Sequence, residues 1–336
     1  MQTTSQEKVF HSIAVVIPAY RVSKQILSLI SQIGPEISHI IVVDDNCPEK
    51  SGNLVLQECR DPRVQVLFNE KNLGVGGAVI SGYRKALTLD SDLVVKLDGD
   101  GQMDPSEIPK LVLPLIRKEA DYTKGNRFFN IKALGAMPIN RIIGNAGLSF
   151  YSKMSSGYWS IFDPNNGFTA INMQVLSDLD LSKIDNRYFF ESDMLFRLNL
   201  AKAVVLDVPM PAVYKDEKSN LSILKVLVEF PLKHSRNLLK RIFYNYLLRE
   251  FSLASLNLLF GSLLVSFSLI FGSLKWFTSN QTGIPSGEGA LILFTVSMLM
   301  GFQLLISFFG YDIGHEPKIP LGKLRENPSR GKFGSN

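Results

Sequence analysis

Cysteine is scarce in this 336-residue chain: Cys47 and Cys59 stand twelve apart, with no cluster of histidine or cysteine beside them. That excludes a recognisable zinc pattern and leaves two reduced, structural thiols as the expectation. The four histidines, His11, His39, His234 and His315, are scattered and suggest no shared site. Met1 to His11 is polar and lacks an apolar signal region, so export of the part that follows is not expected. Internal repeats and low-complexity tracts are absent. Charge is missing from two stretches, Phe251 to Leu274 and Ala290 to Tyr311.

Each uncharged stretch is long enough to cross the ~30 Å hydrocarbon layer as a helix. Buried core helices would satisfy the same count, but core helices seldom stay apolar on every face. Two transmembrane helices are therefore expected. From Lys215 onward there are fourteen Lys and Arg against eight Asp and Glu, whereas the first 214 residues hold 22 and 23. The basic excess belongs to the membrane part. Lys225, Lys233, Arg236, Lys240, Arg241 and Arg249 precede the first span; Lys318, Lys323, Arg325, Arg330 and Lys332 follow the second. The positive-inside tendency then places both termini in the cytoplasm of a bacterial-type inner membrane. Because the basic residues sit among Leu, Ile, Phe and Tyr beside a span, anionic membrane lipid is the expected partner and nucleic acid is not. Phe243, Tyr244 and Tyr246 read as interfacial anchors.

From Ser12 onward, short apolar runs alternate with helical patterns. Ile13 to Ile17, His39 to Val43, Val64 to Phe68 and Leu93 to Leu97 are short, β-branched and without strict alternation, as expected of strands covered on both faces. Lys24 to Ile33, Leu54 to Cys59, Gly77 to Leu87 and Pro105 to Arg117 read as helices, the last opened by Asp104 as cap. The pattern is α/β, a doubly wound and mostly parallel sheet. A helix near Met137 to Met154, a helix from Phe190 to Leu200 and a strand from Ala203 to Val208 follow. Leu221 to Arg249 reads as amphipathic interfacial helices interrupted at Pro231. The expected organisation is a catalytic domain over 1–215, juxtamembrane helices over 216–250, a membrane hairpin over 251–311 and a basic tail over 312–336.

In such sheets a ligand sits beyond the carboxyl ends of the strands. There the chain places Pro18, Ala19 and Tyr20; then Asp44 and Asp45; then Lys71 and Asn72; then Asp98, Gly99, Asp100 and Gln102. Asp98, Asp100 and Gln102 offer three hard oxygen donors within five residues, which suits Mg²⁺ or Mn²⁺; an acidic surface turn is the plain alternative. A calcium loop would need Glu about eleven residues after its first Asp, where Pro109 stands. Asp44 and Asp45 suit hydrogen bonding to a uracil or guanine edge, or capping of their own loop. The glycines at 74, 76 and 77 lack the Gly-Lys-Ser/Thr ending of a phosphate loop and the spacing of a dinucleotide fingerprint.

Val15-Val16-Ile17-Pro18-Ala19-Tyr20, Val42-Val43-Asp44-Asp45, Asn72-Leu73-Gly74 and Lys96-Leu97-Asp98-Gly99-Asp100-Gly101-Gln102 together resemble the inverting family 2 glycosyltransferases. Within that family the Asp-x-Asp-x-Gln form, Asp163-Pro164-Asn165-Asn166-Gly167-Phe168, and Lys218-Ser219-Asn220-Leu221 before basic helices resemble the dolichyl- and polyprenyl-phosphate sugar synthases. The resemblance implies a GT-A-type sheet in which Pro18, Ala19, Tyr20, Asp44, Asp45, Lys71, Asn72, Asp98 and Gly99 hold a nucleotide-sugar donor. It implies Mg²⁺ or Mn²⁺ on Asp98, Asp100 and Gln102, and Arg127 facing donor or acceptor phosphate. Glu191, Asp193 and Asp163 are the implied acidic groups, and Lys218 with Ser219 the implied acceptor-phosphate pair. Where relatives commonly have Asn-Glu after the first strand, this chain has Tyr20-Arg21, so an acidic donor contact is absent. The Gln-x-x-Arg-Trp signature of processive synthases is missing, which argues against a polymerase.

The expected reaction is metal-dependent, inverting transfer of a hexose, from a UDP-sugar in preference to GDP-mannose, to polyprenyl (undecaprenyl) phosphate. Three rivals stand beside it: transfer to a hydroxyl of a lipid-linked glycan, a sugar-phosphate nucleotidyltransferase, and a non-catalytic membrane partner of another transferase. The second would show a Gly-rich, Arg-containing turn after the first strand, which Pro18-Ala19-Tyr20 is not. A homo-oligomer through the spans is also an expectation. Asp193 and Glu191 have an ordinary alternative as the favoured acids of a helix's first turn.

Overall fold

The computed structural model describes residues 11–127, 139–211 and 223–326, without the side chains of 139–143, 145, 223–228 and 326. Lys218 and Ser219 lie outside the described residues. In the first part β1 (Ile13–Ala19), α1 (Ile26–Ser31), β2 (His39–Asp44), α2 (Ser51–Glu58), β3 (Val64–Phe68), α3 (Val75–Ala86) and β4 (Leu93–Lys96) alternate as the sequence predicts. The strands are buried on both sides because successive residues feed two cores. Val15, Ile17, Val42 and Val95 face one apolar cluster; Val16, Ile41, Val43 and Val94 face the other. Each such side chain contributes roughly 1.5–3 kcal/mol when fully buried.

A 3-10 turn at Pro105–Glu107, capped by Asp104 accepting from Ser106 N at 2.9 Å, leads into α4 (Ile108–Ile116). There follow β5 (Tyr122–Asn126), α5 (Ile139–Ser156), β6 (Thr169–Asn172), α6 (Met173–Asp178), α7 (Phe190–Leu200) and β7 (Val205–Pro209). The sheet order is β3-β2-β1-β4-β6-β5-β7. β3 to β4 are parallel, β6 runs antiparallel to both β4 and β5, and β7 is parallel to β5. β5 and β6 were not predicted from the sequence. Their residues include Lys124, Asn126, Thr169 and Asn172, so no apolar run marks them, yet Lys124 and Thr169 are fully buried.

The remaining elements are α8 (Ile223–Ile242), a π-helical stretch at Phe243–Arg249, α9 (Leu253–Thr282), α10 (Glu288–Gly314) and α11 (Leu321–Glu326). The predicted interruption at Pro231 does not occur, and α8 runs through it. Proline removes one helical hydrogen bond, and packing of the following turns against Phe189, Ser155 and Asp193 offsets that loss. Phe189 meets Phe230 and His234 edge-on with centroids at 5.4 and 4.8 Å. His234 Nδ1 lies 2.7 Å from Ser155 Oγ, and Asn237 Nδ2 donates to Asp193 Oδ1 at 2.9 Å.

His234 gives the fold an acid-sensitive joint. Burial lowers its pKa from 6.5 to about 4, so between those values the unfolded chain takes up a proton that the folded chain refuses. Its contribution is complete above pH 6.5 and is lost as pH falls towards 4, by ~3 kcal/mol at roughly 1.4 kcal/mol per pKa unit. His234→Asn is expected to flatten the acid limb of Tm against pH relative to the parent, as followed by thermal unfolding in detergent. A parallel limb in both proteins would contradict the assignment.

The chain divides into two compact units, Met1–Asn237 with Pro317–Asn336, and Leu238–Glu316. In the second, α9 and α10 are long and apolar enough to cross a membrane, and only 22% and 17% of their most apolar windows are buried, which does not suit soluble core helices. They approach closely at small residues: a Cβ on Gly301 would lie 2.8 Å from Val265 Cγ2 and 2.9 Å from its backbone N. Arg241 Nη1 and Nη2 bond Asp312 at 2.6 and 2.9 Å, and the Tyr246 hydroxyl donates to the same carboxylate at 2.6 Å.

Beyond the hairpin the chain rejoins the first unit. Leu321 N donates to both Asp121 oxygens at 2.9 and 3.0 Å, Val204 N to Oδ2 at 2.8 Å, and Arg325 pairs with Asp178. Asp121 is 2% exposed, so Asp121→Ala would strand these donors. The expected loss is ~2–3 kcal/mol, lowering Tm of the first unit by roughly 5–10 °C. An unchanged Tm would show that residues 317–326 do not hold to Asp121 in solution.

Candidate active site

Beyond the carboxyl ends of β1, β2 and β4 lies a cavity of about 700 Å³. Its wall includes Pro18, Ala19, Tyr20, Asp45, Asn72, Asp98, Gly99, Asp100 and Glu191, residues the sequence assigned to donor, metal and acid roles. A smaller adjoining cavity, about 110 Å³, is lined by Asp98, Asp100, Gln102, Asp104, Glu107, Arg127 and Asn165 among others. Asp98 and Asp100 belong to both.

Three predicted residues are turned elsewhere. Asp44 is 3% exposed, and its oxygens accept from Cys47 N and Gly52 N, each at 2.7 Å. It closes its own loop and is not brought to the cavity wall, the capping alternative noted for it. Asp193 accepts from Asp185 N and Arg197 Nε at 3.0 Å and from Asn237 Nδ2 at 2.9 Å, so it ties α7 to α8 and lines neither cavity. Lys71 is exposed and likewise absent from both walls. Asp45 combines two tasks: it lines the larger cavity while accepting from Leu73 N, Gly74 N and Asn69 Nδ2 at 2.9, 2.7 and 2.8 Å. These bonds fix the glycine-rich segment that opens α3.

Asp163 likewise lines neither cavity, but it pairs with Arg127. Its buried carboxylate takes Arg127 Nε at 2.8 Å and Nη2 at 3.2 Å, and the guanidinium it aims borders the small cavity. Such forked pairing fixes both distance and plane.

Two features of the site were not foreseen. Lys96, the last residue of β4, is 1% exposed in its side chain, and its ammonium lies 2.8 Å from Asp98 Oδ1, 3.1 Å from Glu191 Oε1 and 3.1 Å from Gly167 O. Burial alone would lower its pKa, but the attraction of Asp98 and Glu191 outweighs burial and raises it above the ordinary lysine value. Gly167 permits this approach, since a Cβ there would sit 2.5 Å from Asp98 Oδ2 and against Lys96 Nζ. Arg187 is the second: it lines the larger cavity and donates to Asn72 Oδ1 at 3.2 Å. Behind them Lys124 donates to Asn166 O, and burial lowers its pKa to about 8.

The donor set suits a hard divalent cation. Asp100 Oδ1 accepts from Gln102 N at 2.9 Å, and the two carboxylates and the carboxamide border one small space. Among the described residues no three His, Cys, Asp or Glu side chains form a closed metal cage. An ion held by one or two carboxylates and completed by substrate phosphates needs no such cage.

Residues 14–180 match the family described as Glycosyl transferase family 2. The UDP-N-acetylglucosamine–dolichyl-phosphate N-acetylglucosaminyltransferase of Methanococcus voltae is 30% identical over 218 residues, covering 61% of this chain and 86% of that protein. The undecaprenyl-phosphate mannosyltransferase of Micrococcus luteus is 28% identical over 209 residues, 61% of this chain and 84% of that one. In fold, the crystal structure of glucosyl-3-phosphoglycerate synthase from Mycobacterium tuberculosis with phosphoglyceric acid superposes with a TM-score of 0.52 at 18% identity, over 69% of this chain and 80% of that one. With its strand-end acids gathered on one cavity and a mostly parallel GT-A-like sheet beneath them, this chain belongs to glycosyl transferase family 2.

Proposed function

We propose that this transferase moves a hexose from a nucleotide sugar, UDP-linked in preference to GDP-mannose, to polyprenyl phosphate at a membrane surface, with inversion at the anomeric carbon. The carrying observation is the larger cavity, whose wall combines Asp45, Asp98, Asp100 and Glu191 with Leu148, Val75, Ala78 and Phe230. A polar head on an apolar chain fits such a mixed lining. The dolichyl- and undecaprenyl-phosphate acceptors named for the relatives support the same reading.

Asp98, Asp100 and Gln102 would hold Mg²⁺ or Mn²⁺, which when bound neutralises charge on the donor diphosphate and so eases its departure. Arg127, aimed by Asp163, supplies further positive charge beside the same space. Pro18, Ala19, Tyr20, Asp45, Asn72 and Gly99 would receive the nucleotide. The acceptor phosphate needs no strong base, because its second ionisation lies near ~6. Glu191 then serves to orient and balance charge, and its Oε1 is already taken by Lys96. Attack opposite the leaving group gives a β-linked product from an α-linked donor.

The apolar hairpin would anchor the enzyme. Both of its ends join the same folded unit, so an odd number of crossings would pull Leu321 from Asp121; with the flanking Lys and Arg, this supports two crossings and a cytoplasmic catalytic unit. The acceptor is tested by offering undecaprenyl phosphate and undecaprenol side by side with one donor. Product from the phosphate alone is expected. Product from a hydroxyl acceptor in its place would move the reaction to the glycan-extending rival.

A further inference from the structure

Lys96 is buried behind the site and borders neither cavity. It cannot touch a bound donor, so any effect on the reaction must pass through the groups its ammonium holds. Those are Asp98 and Glu191, carboxylates from two separate elements, β4's end and α7, that both line the larger cavity. The ammonium fills the space they share. Lys124 does not stand in for it, because its own ammonium is spent on Asn166 O.

Without the cation on Lys96, Asp98 and Glu191 would be two anions facing a common low-dielectric space close to Asp100. A divalent ion would be drawn in among three carboxylates, since attraction between charges about 4 Å apart is several-fold stronger there than in water. It would then be bound more tightly but displaced from the strand end. We propose that Lys96 is a positioning residue that keeps Glu191 out of the coordination of the metal and holds Asp98 at the strand end, so that the ion is carried by Asp98, Asp100 and Gln102 alone. This rests on the metal-dependent reading of the site.

The test uses the full chain in detergent, with Mn²⁺ binding followed by loss of the free-ion electron paramagnetic resonance signal in the presence of UDP, alongside steady-state kinetics. Lys96→Met is expected to tighten Mn²⁺ binding about 5-fold or more while lowering kcat ~100-fold, as a misplacement near 1 Å can, with donor KM moving less than about 3-fold. A purely structural lysine would weaken binding and rate together. Lys96→Met combined with Glu191→Gln is expected to lose the tightening, because the third anion is gone.

Unchanged or weaker Mn²⁺ binding in Lys96→Met overturns the inference, as does a double variant that stays tight. Should Lys96→Met not fold, Glu191→Gln alone decides. Lys96 then draws on Asp98 as its one carboxylate, and Mn²⁺ affinity should fall at least about 3-fold; an unshifted affinity overturns the proposal. A parent enzyme that transfers sugar with no divalent ion overturns this inference and the metal reading together, whereas metal dependence in the parent with an unshifted Lys96→Met overturns the inference alone.

Discussion

Asp100→Ala is expected to lower sugar transfer about 10³-fold, or ~4 kcal/mol of transition-state stabilisation, while the protein still inserts in membranes and unfolds at nearly the parental Tm. Asp100 lines both cavities, and its hydrogen bond to Gln102 N closes the turn that presents the Asp-x-Asp-x-Gln segment. The turn is at the surface of the sheet's carboxyl edge, so its loss should leave the two cores intact. Chelation of divalent ions should reproduce the defect in the parent enzyme, with recovery on adding Mg²⁺ or Mn²⁺. Near-normal turnover by Asp100→Ala, with or without chelator, would sink the metal assignment.

Arg127→Met should cut kcat by roughly 10²-fold, a loss typical of removing one donor to developing charge. It should also destabilise the fold, by about 1–3 kcal/mol, because Asp163, with a side chain 2% exposed, would lose the guanidinium that pairs it, a partner itself 39% exposed. The double variant Arg127→Met with Asp163→Asn separates the effects. Stability should largely return, since position 163 then carries no buried charge, while kcat stays low. If activity returned together with stability, Arg127 would be a structural partner of Asp163 and nothing more.

How much of this could be read beforehand depended on whether burial and polarity agreed. β1 to β4 announce themselves because β-branched apolar residues fill both faces, and the polar residues that follow them fall on one crevice. β5 and β6 do not, because polar residues lie in the interior: Thr169 of β6 is fully buried, and on β5 Thr123, Lys124 and Asn126 are satisfied by hydrogen bonds rather than apolar contact. The same conflict hid Lys96, which reads as the charged end of a strand until Asp98 and Glu191 are seen to share it. Asp44 and Asp193 show the reverse. As sequence they are indistinguishable from cavity acids, and only the folded chain turns their oxygens towards Cys47, Gly52, Arg197 and Asn237. The continuity of α8 through Pro231 likewise depends on Phe189, Ser155 and Asp193, distant residues that no local rule weighs.

The account is tested most directly by incubating the detergent-purified chain with undecaprenyl phosphate, Mg²⁺ or Mn²⁺ and a panel of UDP- and GDP-sugars, then reading the lipid by mass and the anomeric proton coupling of the product. A lipid-phosphate hexose formed from a UDP-sugar, β-linked from an α-linked donor, is the predicted result. An α-linked product would contradict single inversion, and no lipid product from any donor, while UDP or GDP still binds, would contradict the proposed acceptor.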